Sequence, residues 1–162
     1  MLSVLALLLS TSSAHATTEV GTIRKLGLGG SIGNGWLSAA GKYWFTPGTG
    51  VSGYVGTGGI LQQVRANFEM DLFTVRDSDF GRFDMYWLLG VDTGVWLYPG
   101  FASPKLGFGA GLGVDLKLHD TPLDVFVDVG LGGYPIDFCS DSVQLFCYLQ
   151  PRTDLGVRYY FP

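Results

Sequence analysis

Between residues 106 and 118 every second residue is apolar: Leu106, Phe108, Ala110, Leu112, Val114, Leu116 and Leu118. Gly107, Gly109, Gly111, Gly113, Asp115 and Lys117 stand between them. A helix, whose faces repeat every 3.6 residues, cannot sort side chains in this way, whereas a strand does so automatically. The same rule governs residues 64–74, where Val64, Ala66, Phe68, Met70 and Leu72 oppose Arg65, Asn67, Glu69 and Asp71. It governs 123–131, with Leu123, Val125, Val127, Val129 and Leu131 against Asp124, Phe126, Asp128 and Gly130. It returns at the end, with Leu155, Val157, Tyr159 and Phe161 against Asp154, Gly156, Arg158 and Tyr160. Residues 26–32, 37–45, 51–57 and 83–95 follow it less strictly.

Eight segments result, an even number, and most approach the roughly 9–11 residues that a tilted membrane strand needs. The expected fold is all-β, an eight-stranded antiparallel up-and-down transmembrane β-barrel over residues 17–162. Its connections fall into two sets. Residues 46–49, 76–82 and 119–122 make one, and 33–35, 58–63, 96–105 and 132–152 make the other. Barrels of the outer membrane carry short periplasmic turns and longer outer loops, so both termini are expected on the periplasmic side. Only 33–35 is shorter than that pattern predicts.

Composition agrees with strands in lipid. Hydrophobic residues make up 47% of the chain and charged residues only 15%, below the roughly 25% of ordinary soluble domains. Twenty-five glycines argue against helices. Residues 1–9 are a short apolar run leading to Ala14-His15-Ala16, the small-x-small pattern of a signal-peptidase site, so residues 1–16 read as a signal peptide. The run is too short to span a bilayer as a helix.

The polar face decides between a soluble and a membrane barrel. It carries Lys25, Lys42, Arg65, Lys117 and Arg158 against Glu69, Asp71, Asp84, Asp92, Asp115, Asp124, Asp128 and Asp154, interspersed with glycines. An eight-stranded barrel has an interior just wide enough for side chains to fill, and a lumen packed with opposite charges suits it. These residues, Lys25 apart, form the candidate lumen network. The opposite face is bulky, with Tyr43, Phe45, Phe83, Tyr159 and Phe161 near strand ends, where an interfacial girdle belongs. The apolar face is therefore expected to meet lipid.

The last segment, Leu155, Val157, Tyr159 and Phe161 at every second position, resembles the C-terminal strand by which outer-membrane barrels are recognised for assembly; Pro162 departs from the usual terminal aromatic. In architecture the chain resembles the small OmpA-like and OmpX-like barrels. That resemblance implies an integral outer-membrane protein in contact with the bilayer, lipopolysaccharide and the barrel-assembly machinery.

Signals for chemistry are sparse. Gly48-Thr49-Gly50-Val51-Ser52-Gly53 matches G-x-G-x-x-G, but more glycines follow and no helix starts there, so no cofactor is expected. With a net charge of −4 and no basic patch, nucleic acid is not an expected partner. A lipid-modifying hydrolase is the enzymatic alternative. It would need a base beside a serine, and His119 is the one histidine after residue 16. A soluble barrel carrying a small apolar ligand is the third reading. Cys139 and Cys147 lie close together in an exported chain and are expected to form a disulfide, metal ligation being less favoured. The loop 132–152 that they brace carries Tyr134, Phe138, Phe146 and Tyr148, candidates for contact with a surface partner.

Overall fold

The computed structural model describes residues 20–34, 36–59, 61–137 and 150–162. Eight strands run β1 (Leu26–Gly33), β2 (Trp36–Thr46), β3 (Thr49–Gly58), β4 (Leu61–Ser78), β5 (Gly81–Tyr98), β6 (Phe101–Leu118), β7 (Leu123–Asp137) and β8 (Gln150–Phe161). Each pairs antiparallel with its neighbours in sequence, and β1 closes the barrel on β8 with Leu26 opposite Phe161 and Ile32 opposite Leu155. Closure pairs the strands on both sides around the middle of the barrel, where hydrocarbon would not tolerate an open edge.

The strands are longer than alternation alone indicates, and this corrects the expected loop pattern. Residues 96–105, expected as an outer loop, are strand up to Tyr98 and again from Phe101, joined at Pro99-Gly100. Gly100, Gly59 and Asn34 all have positive φ, as two-residue hairpins require. The long segment 76–82 likewise shortens to a turn at Asp79-Phe80. Of the connections at the end away from the termini, only 138–149 remains long. The contrast between short and long connections therefore rests on that segment alone.

Bulges explain where alternation drifts. In β4 the register shifts between Asp71 and Phe73 and again between Thr74 and Arg76. The extra residue turns Leu72 and Phe73 outward together, 48% and 57% exposed.

Inside and outside are sorted as expected. Leu28, Phe68, Leu89, Phe108, Leu112, Val127, Val129 and Leu155 are exposed, while the charges that alternate with them are buried. A soluble barrel would show the reverse, so the soluble-carrier reading is excluded. At the end bearing the termini, Tyr43 packs on Phe45 at 5.6 Å and Tyr159 on Phe161 at 5.2 Å, which forms part of the expected girdle. Lys25 is a correction: it precedes β1 and is exposed.

Glycines serve different ends on the two faces. A Cβ on Gly29 would run into the Val157 carbonyl oxygen of the paired strand, whereas one on outward-facing Gly30 finds its nearest neighbour, Ser38 O, at 3.5 Å. Gly29→Ala is expected to cost about 1–3 kcal/mol or more, since backbone cannot step aside. Gly30→Ala should be neutral or slightly stabilising. Urea titration of refolded protein reads both, and equal effects would contradict the packing described.

Candidate functional site

Among the described residues the lumen is where chemistry-bearing side chains concentrate, and they lie in layers along the barrel axis. At the end bearing the termini, the segment before β1 turns inward. Val20, Trp44 and Tyr160 form a buried cluster there, and Gly21 N donates to Arg24 O at 2.9 Å. Trp44 Nε1 donates to Tyr160 Oη at 3.3 Å, and Tyr160 donates in turn to Asp124 Oδ2 at 2.8 Å. Arg158 Nε meets the other oxygen of Asp124 at 3.0 Å.

Two lysines organise the next layer. Lys42 Nζ lies 2.6 Å from Glu69 and 3.3 Å from Asp115, and Lys117 Nζ lies 2.7 Å from Asp84, 3.4 Å from Asp71 and 3.6 Å from Asp115. Both ammonium groups sit over the Trp44 ring, at 3.9 and 4.3 Å. Asp115 thus bridges the two cations, while Arg82 reinforces Asp84 at 2.8 Å. Ser52 donates to Glu69, so that carboxylate is held from two sides. Above this layer Asp128 accepts from Tyr54 at 3.0 Å and from Tyr86, and the Arg158 guanidinium lies 3.9 Å from the centre of the Phe126 ring.

Nearer the other end Arg65 pairs with Asp154 and stands 5.1 Å from the Trp36 ring. Arg152 pairs with Asp92. Gly107 and Gly109 make this layer possible, because a Cβ on either would collide with the Tyr134 ring or with Arg152.

All but one of the twelve charged residues singled out from sequence are thus buried in the lumen, and all take part in its ion pairs or hydrogen bonds; Asp71 is only half-buried. Arg152, which the sequence analysis puts at the end of the loop 132–152, is a further buried lumen cation on β8. Extending the alternation of Asp154, Gly156 and Arg158 backward by two residues finds it. Tyr134 is a correction: it belongs to β7 and its side chain is buried toward the lumen instead of standing on an exposed loop. The aromatic share of the interior was visible in sequence, since Trp44, Tyr54, Tyr86, Phe126 and Tyr160 all alternate with outward hydrophobes. Phe138, Cys139, Phe146, Cys147 and Tyr148 lie outside the described residues. Leu155, Val157, Tyr159 and Phe161 face outward along β8, 51%, 46%, 43% and 42% exposed.

His119 sits in the turn after β6 with Nε2 3.1 Å from Asp77 Oδ1, while Nδ1 has no hydrogen-bond partner. Ser78, next to Asp77, donates its hydroxyl to the Gly81 carbonyl at 2.8 Å. The histidine therefore has a carboxylate partner on Nε2, and among the described residues no hydroxyl is hydrogen-bonded to either ring nitrogen.

Above the Arg65 layer the lumen opens into a cavity of about 160 Å³, lined chiefly by Trp36, Gln63, Arg65, Asp92, Lys105 and Tyr134. No group of three or more metal-ligating side chains occurs among the described residues.

Bulky hydrophobes outside, paired charges within and a closed sheet define a transmembrane eight-stranded β-barrel. No protein-family model matches the chain, and no curated protein sequence does. Among solved structures, the N-terminal β-barrel domain of OprF from Pseudomonas aeruginosa superposes with a TM-score of 0.50 at 11% identity, covering 85% of this chain and 96% of that domain. At that identity the likeness is one of fold, that of a small OmpA-like barrel.

Proposed function

We propose that the protein is an integral barrel of the bacterial outer membrane with a structural or surface-interaction role and no catalysis, exported by residues 1–16 and held with both termini in the periplasm. The observation that carries this reading is the filled lumen. Trp44, Tyr54, Tyr86, Phe126 and Tyr160 are all at most 1% exposed and stack between layers of paired charge, leaving little space for solute flow. The outward aromatics of β8 support recognition by the barrel-assembly machinery, and the apolar exterior supports contact with the bilayer and lipopolysaccharide. The segment 132–152, with Phe138, Phe146 and Tyr148 braced by a Cys139–Cys147 disulfide, is the candidate contact with a surface partner.

Membrane fractions run on gels with and without boiling test the first part. A folded barrel migrates differently from the boiled chain, and recovery of the protein in the soluble periplasm would end the membrane reading. Planar-bilayer recording tests the second. The purified barrel is expected to leave the bilayer electrically silent, and steady channels would make it a porin instead.

A further inference from the structure

We infer that the cavity at the open end of the lumen binds a single neutral sugar ring. This deepens the surface-interaction reading and rests on it only for the cavity's facing the outside. Three features of the cavity converge on that ligand.

Its walls combine apolar and polar recognition. Trp36 and Tyr134, each with a cation over its ring, supply the aromatic surface against which the C–H face of a pyranose packs, and Gln63, Arg65 and Asp92 supply planar polar groups. The volume, about 160 Å³, falls below the roughly 300 Å³ at which pockets for drug-sized ligands begin, and it suits one ring.

Charge argues for a neutral ligand. Arg65 is engaged by Asp154, Asp92 by Arg152, and Lys105 lies 4.7 Å from the centre of the Tyr134 ring and has further interactions of its own. The cations are spoken for within the chain, so no concentrated positive field awaits a phosphate or carboxylate. Paired carboxylate and guanidinium groups instead set acceptors beside donors. Vicinal hydroxyls need that arrangement, since each one both donates and accepts.

Three lining side chains keep an unmatched polar atom among the described residues: Arg65, Asp92 and Gln63. Gln63 is 7% exposed and lines the cavity beside the Tyr134 hydroxyl, and its Nε2 has no partner at good hydrogen-bond geometry among the described residues. A buried donor left without an acceptor is costly, and a ligand hydroxyl oxygen relieves it. Gln63 opposes Gly94 across the β4–β5 ladder and Gly56 across β3–β4, so neither partner residue offers a side chain to satisfy it.

The test uses the full mature barrel refolded in detergent, with Trp36 as the fluorescent reporter and glucose and N-acetylglucosamine as probes. Saturable fluorescence changes are expected in the millimolar range, disappearing in Trp36→Phe. In Gln63→Leu they should weaken about tenfold, the effect of one hydrogen bond to a buried donor. Tyr134→Leu should weaken them as well, while heat-shifted gel migration stays intact in every variant. Absence of saturation up to about 100 mM sugar, or wild-type binding by a folded Gln63→Leu, overturns the site. Tighter binding of inorganic phosphate than of sugar overturns the neutral class. A barrel that fails the migration assay altogether bears on the membrane reading instead. Repeating the titration in vesicles with and without lipopolysaccharide separates two sources of the same chemistry. Loss of the free-sugar response when the glycolipid is present identifies its sugars as the occupant, and persistence identifies a soluble saccharide.

Discussion

Leu112→Arg is expected to destabilise the folded barrel in lipid vesicles by about 2–4 kcal/mol, the effect of a cation near the middle of a lipid-facing strand. Leu112 lies near the middle of β6, 51% exposed, between the outward-facing Trp87 and Val129 on the neighbouring strands. In a water-soluble protein a side chain so exposed would tolerate arginine to within about 0.5 kcal/mol. The size of the loss therefore measures the solvent outside the barrel. Urea-driven unfolding monitored by tryptophan fluorescence provides the number, and a variant as stable as the parent in lipid would contradict the membrane assignment.

Lys42→Met is expected to cost about 3–5 kcal/mol, because it leaves Glu69 in a closed interior without its paired ammonium and Asp115 with Lys117 alone. Lys42 is 1% exposed, with Glu69 at 2.6 Å and Asp115 at 3.3 Å. Adding Glu69→Gln to the same chain should recover a substantial part of the loss, since the buried charge that lost its partner is then removed as well. Full additivity of the two substitutions would mean that the ammonium and the carboxylate do not interact in the folded state. Because the pair is shielded from water, the effect should persist at high salt, unlike that of a surface ion pair.

Much of the molecule was legible in one dimension, and the reason is the two-residue period of a strand. Once Asp115 and Lys117 alternate with Val114, Leu116 and Leu118, each residue's face is settled before any partner strand is known. The same logic assigned Glu69, Asp124, Asp128 and Arg158 to the interior. It faltered where the period is interrupted. The bulges in β4 shifted the outward set at Leu72 and Phe73, and nothing local in those residues announces an extra one. It also faltered at strand ends, where Gln150, Pro151 and Arg152 read as loop. The run 96–105, with Pro99, Gly100 and Pro104, read as loop for the same reason.

The candidate site was the least legible part. Gln63 looks unremarkable in sequence, Tyr134 reads as an exposed contact on a loop and not as part of the lumen wall, and Gly94 and Gly107 carry no chemistry. Their relation depends on β4, β5, β6 and β7 continuing toward the open end and on glycines opposing the larger side chains. Register across four strands decides that, and no single segment encodes it.

The order of residues in this chain by itself determined which side chains face together, how many strands there are, and that one face is fit for lipid and the other for charge. Only the closed sheet decided which cation meets which carboxylate. Lys42 and Asp115 are 73 positions apart, and Arg65 and Asp154 are 89 apart. Alternation is a property of the backbone within one strand, whereas pairing across the lumen depends on barrel closure, stagger and bulges acting over the whole chain.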